Sequence, residues 1–290
     1  MKKFLYTTLT LCLLTVFYSC DKEENSQLTT DEVRNTLKSM YPSANDISWE
    51  IKNGYIVADF KAPAALNPGG RDVEHAAWFD RSGRWYMTET DIPFSLLPDA
   101  VKAAFQQSQY SEWIVDDVDM IERENFETVY VIEAESRSAG GENEVALCYS
   151  ADGILVKTLT GANSDNDYGD FITPSFNQQI VDFIENRYPG ARIVEMDKEV
   201  NRTEVEIIDG NVCRELTFVA SNNWIRTETE TAYTALPAAV QQAFNGSIYG
   251  SYRIDDIYYV ETPEREYYLF ELENNDRDLN VSIDTQGNIL

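Results

Sequence analysis

Hydrophobic and polar positions in this chain follow two rhythms that succeed one another four times. Apolar residues at helical spacing mark four segments: Val33, Leu37 and Met40; Leu97, Val101, Ala104 and Phe105; Phe176, Ile180, Phe183 and Ile184; and Leu236, Val240, Ala243 and Phe244. Each is followed by runs rich in β-branched and aromatic residues, at 47–51, 55–60, 113–121, 128–134, 252–260 and 267–272 among others, which predict strands. Thr30 is placed to cap the first helix, with Asp31 and Glu32 in its first turn and Pro42 beyond its end. Pro98 sits near the start of the second, and the third is expected to begin at Thr173-Pro174. Asn53-Gly54, Asp152-Gly153, Asp209-Gly210 and the Asp-x-x-Gly stretches ending at Gly83 and Gly287 predict tight hairpins, because Gly supplies the positive φ they need. The predicted unit is one helix followed by about four antiparallel strands. A sheet of this kind is apolar on one face, so the helix covers that face and the other stays available.

The units are copies. An offset of 139 residues superposes Trp85 on Trp224, Thr88-Glu89-Thr90 on Thr227-Glu228-Thr229, and Leu97-Pro98 on Leu236-Pro237. The same offset carries Asp116-Asp117 onto Asp255-Asp256. Upstream the offset becomes 147, matching Tyr41-Pro42 to Tyr188-Pro189, with the difference taken up in the Pro/Gly-rich loop at 63–71. Residues 161–171 read as a polar linker. The expected fold class is therefore α+β: two tandem domains, at 28–160 and 172–290, each of two repeats sharing one sheet.

Charge narrows what such a protein does. Lys plus Arg number 23 against 50 Asp plus Glu, a formal charge of -27, which argues against nucleic-acid binding and electrostatic membrane docking. A single His leaves no multi-His metal site and no evident Ser-His or Cys-His machinery. No catalytic residue and no cofactor are expected.

The amino end reads as a signal peptide over residues 1–19, with Lys2 and Lys3 ahead of an apolar stretch too short to span a membrane comfortably. Its end, Phe17-Tyr18-Ser19-Cys20, resembles a bacterial lipobox, with Phe17 and Tyr18 departing from the usual residues. Cys20 is then the lipidated residue and 20–27 a tether. Lys22, Glu23 and Glu24 resemble the export tag that carries lipoproteins of Bacteroidetes-type bacteria to the outer face of the outer membrane. The expected location is the outer membrane, lipid-anchored at the cell surface, with the periplasmic face as the alternative. Of the other cysteines, Cys148 and Cys213 fall in different domains and are expected to be free thiols.

One helix and a four-stranded antiparallel sheet in tandem, with the hairpin Phe79-Asp80-Arg81-Ser82-Gly83, resembles the PepSY-like family, which is itself similar to β-lactamase-inhibitor protein. The resemblance covers most of the chain and implies a continuous concave sheet in each domain and no active site, since the family's motifs are structural.

Candidate chemistry is sparse. Asn163, Asp165 and Asp167 have the first spacings of a calcium loop, but Tyr168 stands where Gly is required and Pro174 where Glu is required, which excludes an EF-hand. Asp165, Asp167 and Asp170 are left as a weak metal candidate. The acids of Asp116-Asp117 and Asp255-Asp256 point to opposite faces if their strands are regular, and their recurrence suggests a structural task. Trp85 and Trp224 are candidates either for packing or for anchoring a ligand. Among the paired tyrosines Tyr258, Tyr259, Tyr267 and Tyr268, one ring of each pair should line the uncovered face. His75 is read as incidental. Together these point to a noncatalytic envelope lipoprotein that binds a protein partner, with inhibition of an envelope or secreted enzyme as one form. The alternative is a Ca²⁺-binding or glycan-binding envelope protein. Contact with the membrane is expected only through the lipid.

Overall fold

The computed structural model describes residues 28–136, 144–160, 171–172, 177–274 and 277–290. The first unit is α1 (Asp31–Met40) followed by β1 (Asn45–Lys52), β2 (Tyr55–Pro63), β3 (Asp72–Phe79) and β4 (Trp85–Asp91). The second is α2 (Asp99–Gln107) with β5 (Ile114–Arg123), β6 (Val129–Glu135), β7 (Glu144–Ser150) and β8 (Leu155–Thr160). The third is α3 (Gln178–Arg187) with β9 (Arg192–Lys198), β10 (Arg202–Asp209), β11 (Val212–Val219) and β12 (Trp224–Glu230). The fourth is α4 (Ala238–Gly246) with β13 (Arg253–Glu261), β14 (Glu266–Glu273) and β15 (Asp278–Asp284). Strands β1–β8 pair in chain order as one antiparallel sheet, and β9–β15 as a second. The fourth unit differs from the others: beside β15, the position of a fourth strand holds, among the described residues, the single bridge from Ile283 to Ile289. The third helix also starts differently from expectation. Asn177 is its cap, accepting the Gln179 N–H, while Thr173, Pro174 and Phe176 lie outside the described residues.

Each helix buries its apolar stripe on one face of its sheet. Val33 and Leu37 pack with Ile56, Ala58, Phe60, Ala77 and Phe79, and Val240 and Phe244 pack with Ile257, Phe270 and Ile283. The third hairpin of the unit then folds back onto the start of the helix. Gly83, Gly153 and Gly287 have φ of +84°, +81° and +92°. A Cβ on them would stand 2.9, 2.5 and 2.8 Å from backbone atoms of Glu32, Ala100 and Ala239. Gly recurs there because it satisfies both the left-handed turn and the close approach. In the third unit Asn222, at φ 63°, takes the turn, and its side-chain amide reaches Gln179.

The recurring Trp and Thr residues form a second repeated device. The indole N–H of Trp85 donates to the Thr88 hydroxyl at 2.9 Å, and the Tyr41 hydroxyl donates to the same oxygen at 3.0 Å. Trp224 donates to Thr227 at 3.0 Å, and the Tyr188 hydroxyl lies 3.0 Å from that oxygen. His75 belongs to this buried layer in the first unit. It stacks on Phe60, with one ring nitrogen 2.9 Å from the Thr90 hydroxyl and the other 3.0 Å from the Ala62 carbonyl. Burial holds its pKa below the ordinary imidazole value.

The face opposite the helices is not wholly free. In the first sheet Val57, Trp78, Met87, Ile121, Val129 and Cys148 form a core with Phe171 and Ile172 and with Val194 and Ile208 of β9 and β10. The chain's own second half thus covers part of the face that amphipathic patterning leaves open. Ion pairs frame this junction: Arg192 to Glu127 (2.6 Å) and Asp152 (2.8 Å), and Lys157 to Glu195 (3.4 Å). The Glu127 N–H also donates to the Ile193 carbonyl at 2.8 Å.

Candidate binding faces

What remains of the two helix-free faces is acidic, and the repeat explains why. Thr88 and Thr90 are fully buried on the helix side, so Glu89 between them must point to the other face. The same parity sets Glu228 beside buried Thr227. Register carries the pattern across neighbouring strands, since Asp59 pairs with Ala76, and Ala76 with Glu89. In the second sheet Glu206 pairs with Glu215, and Glu215 with Glu228. Asp59, Glu89 and Asp91 therefore occupy the positions of Glu206, Glu228 and Glu230 in the second half.

These rows line two troughs. The first, of about 360 Å³, is walled by Asp59 and Glu74 from β2 and β3, Glu89 and Asp91 from β4, and Asp117 and Asp119 from β5, with Lys61 as its cation. Lys61 is already 3.2 Å from Glu74. The second, of about 490 Å³, carries Glu206, Glu215, Glu228, Glu230 and Glu271. Arg226, Tyr258 and Cys213 also line it, and Leu155 and Val156 of β8 form part of its wall. Arg226 is paired with Glu228 at 2.9 Å.

The carboxylates crowd one another at some cost. Burial and then Asp117 raise the pKa of Asp91, while burial and then Glu50 raise that of Asp59. Burial raises Glu215 and Glu271 as well, with Glu204 and Asp256 as their strongest repulsive neighbours. Glu206 is shifted most, to about 7, by burial and then by Glu195, partly offset by Lys157. One of its carboxylate oxygens is buried without a hydrogen-bond partner. Such a face favours a cation, whose attraction would offset the cost of desolvating these anions and reduce their repulsion.

The acid pairs Asp116-Asp117 and Asp255-Asp256 recur at a bulge. The register shifts between Val115 and Asp117 and between Ile254 and Asp256, so the strict alternation expected of a regular strand does not hold there. Asp117 accepts the Val118 N–H at 2.8 Å and faces the first trough, while Asp255 pairs with Arg253 at 2.9 Å.

Trp85 and Trp224 are half-buried on the helix side, and Trp224 stacks on Phe183 with the Arg187 guanidinium 4.4 Å from its ring centre. Among the tyrosines, Tyr258 lies in the second trough, and Tyr267, paired with Val260, shares its face. Tyr259 and Tyr268 point the other way, their rings 5.3 Å apart, with Tyr268 packed against the core under α4. Cys148 and Cys213 are free thiols, each raised to about 12 by burial. Cys20, Lys22, Glu23 and Glu24, and the metal candidates Asp165, Asp167 and Asp170, lie outside the described residues. Among the described residues Asp197, Glu199 and Glu204 bring carboxylate oxygens within 4.8 Å of one another, but Arg202 already reaches Glu199 (2.8 Å) and Glu204 (3.1 Å). The sequence pointed to aromatic residues and, among the trough acids, singled out Asp117 alone. The Thr-Glu-Thr repeat was the available signal, since two buried Thr fix the direction of the Glu between them.

The sequence profile of the family described as beta-lactamase-inhibitor-like, PepSY-like, matches residues 64–157 and 201–290, the corresponding stretch in each half. The chain belongs to this family. Among solved structures this PepSY-like chain is similar to a DUF2874 family protein from Bacteroides ovatus, at 30% identity over 49% of this chain and 93% of that one, with a TM-score of 0.42. It is also similar to a BLIP-like protein from Bacteroides fragilis, at 35% identity over 48% and 90% of the two chains, with a TM-score of 0.41. A third, described as periplasmic and from Bacteroides eggerthii, is 25% identical over 48% and 93%, with a TM-score of 0.40. The comparison with curated proteins finds no match. No helix among the described residues of the PepSY-like chain is long and apolar enough to cross a membrane.

Proposed function

We propose that this PepSY-like protein is a noncatalytic binding module of the cell envelope, anchored through a lipid on Cys20, whose acidic sheet faces hold a basic segment of a protein partner. One observation carries the reading: carboxylates recur at equivalent positions on the helix-free face of both sheets, where burial and mutual repulsion raise the pKa of several of them. The second trough is the stronger candidate, because Tyr258 adds an aromatic anchor beside its acids. Where the partner is an enzyme, occupation of its basic surface would inhibit it.

The test is a titration of the full-length chain with a fluorescent peptide of alternating Lys and Thr. Binding that weakens steeply between low and high salt is expected. Equal binding of an alternating Glu and Thr peptide, or no binding at low salt, would overturn the reading. The anchor has its own test: Cys20→Ala should move the protein out of the membrane fraction.

A further inference from the structure

The edges of the two sheets are not alike. A bare edge strand offers a row of unpaired N–H and C=O groups, and most proteins blunt it with bulges, Lys or Pro. β1 is interrupted by a register shift between Asn45 and Ser48, with Asp46 at φ 51°. β8 has a shift opposite Cys148 and carries Lys157. β9 has a shift opposite Glu206 and Ile207, and its Ile193 carbonyl is taken by Glu127. β15 has none of these. Its sequence, Asp-Leu-Asn-Val-Ser-Ile-Asp, holds no Lys, Arg or Pro, and all seven of its pairs with β14 are in unbroken register.

The outer side of β15 is also the position that β4, β8 and β12 fill in the other three units. Pairing there has begun: the Leu290 N–H donates to the Ser282 carbonyl at 2.9 Å. That bond fixes which way the backbone faces. In a regular strand the N–H and C=O of one residue point to the same side, so those of Asn280, two residues from Ser282, also point outward. The Asn280 side chain stands on the wall of the second trough, and its β14 neighbour Glu271 lines the same trough.

We infer that the outward side of β15 from Asp278 to Val281, which no described strand pairs, accepts an extended basic segment of a partner protein as an added antiparallel strand. Opposite Asn280, the incoming residue exchanges backbone hydrogen bonds with the edge and sends its side chain over the trough towards Glu271. Period-two alternation then places every second side chain on the acidic face, so the preferred segment has Lys or Arg at alternate positions. The partner is chemically distinct from this chain. Two β15 edges meeting would bring together two acidic faces, each carrying Asp278 and Glu271, and like charges across a strand pair are unfavourable. This inference rests on the binding reading proposed above and specifies its geometry.

The test uses the full-length chain with two peptides of identical charge: alternating Lys and Thr, and the same peptide N-methylated at each Lys amide, the amides that would face the edge. Methylation removes strand hydrogen bonds and leaves the cations. At least about tenfold weaker binding of the methylated peptide is expected. On the protein, Asn280→Pro removes an outward donor from an edge strand, where Pro is tolerated, so its melting temperature should hold while binding of the unmethylated peptide falls by a similar factor. Equal binding of the two peptides would overturn strand addition and leave the acidic-face reading standing. Failure of both peptides to bind would overturn both. A concentration-dependent dimer that Asn280→Pro abolishes would assign the edge to a second copy and overturn the basic partner.

Discussion

The two troughs are the same surface written twice and then edited. Asp59, Glu89 and Asp91 in the first sheet correspond to Glu206, Glu228 and Glu230 in the second. At three other positions that line both troughs the halves part: Asp119 becomes Tyr258, Glu74 becomes Cys213 and Ala76 becomes Glu215. The second trough also borrows Leu155 and Val156 from β8 of the first sheet. The first thus gathers six acids of β2 to β5 around Lys61 and His75, whereas the second adds Leu155, Val156, Leu269 and the Tyr258 ring to a similar set of acids. The shared residues supply attraction, and the divergent ones decide which trough a polypeptide grips. The acidic frame is older than whatever distinguishes the halves, because the duplication copied it.

Charge reversal gives the largest effect on binding. Glu228→Lys with Glu230→Lys should weaken binding of the alternating Lys and Thr peptide by about thirtyfold or more, read by fluorescence anisotropy. The equivalent pair Glu89→Lys with Asp91→Lys should cost less than about fivefold, through loss of long-range attraction. Equal losses would show that the halves act alike and that Tyr258 contributes nothing.

The hydrogen-bonded Trp, Thr and Tyr nodes test the same asymmetry in stability. Thr88→Val strands both the Trp85 indole and the Tyr41 hydroxyl, whose pKa burial already pushes up to about 12. It should cost about 2–4 kcal/mol. Thr227→Val should cost less, about 1–2 kcal/mol, because the Tyr188 hydroxyl retains Glu261 at 3.3 Å. Urea unfolding of the two variants checks the order.

The smallest expected effect is a pH dependence. Glu206 has its pKa raised to about 7 in the folded protein, above the ordinary carboxyl range, so the folded state holds more protons than the unfolded one between about pH 4.5 and 7. Through this group, stability rises as pH falls across that window. His75 works in the opposite direction, since its lowered pKa means that acid favours the unfolded chain. The check is the difference between wild type and Glu206→Gln in melting temperature from pH 7.5 to 5, which cancels His75. The variant's curve should be flatter on the acid side, while Asp59→Asn should change the slope less.

Much of the fold was legible because local chemistry determines it. Asn53 and every hairpin Gly named from the sequence adopt positive φ, and Thr30 caps α1 by accepting the Val33 N–H. Repetition supplied the rest, since a motif found twice is aligned before it is understood. What stayed hidden depends on register between strands. The bulge at Asp116 leaves no mark in sequence beyond two adjacent acids. The seating of Phe171 and Ile172 on the first sheet joins a short segment to strands far away along the chain. The troughs are assembled from one to three residues on each of five strands in the first and seven in the second, so no window of sequence contains one.

The close approach of Gly83 to Glu32, of Gly153 to Ala100 and of Gly287 to Ala239 ties the end of each of these units to its own beginning. The joined residues are about 50 positions apart, so the tie forms within the unit and asks nothing of its neighbours. A unit closed in this way is a self-contained module. It can be duplicated in the gene, or formed early on the ribosome, with its helix already seated before the next strand pairs to its edge. A substitution that opens one hairpin should therefore lower protection against hydrogen exchange first in the helix and hairpin of its own unit, with the shared core at Val57, Trp78 and Ile121 following.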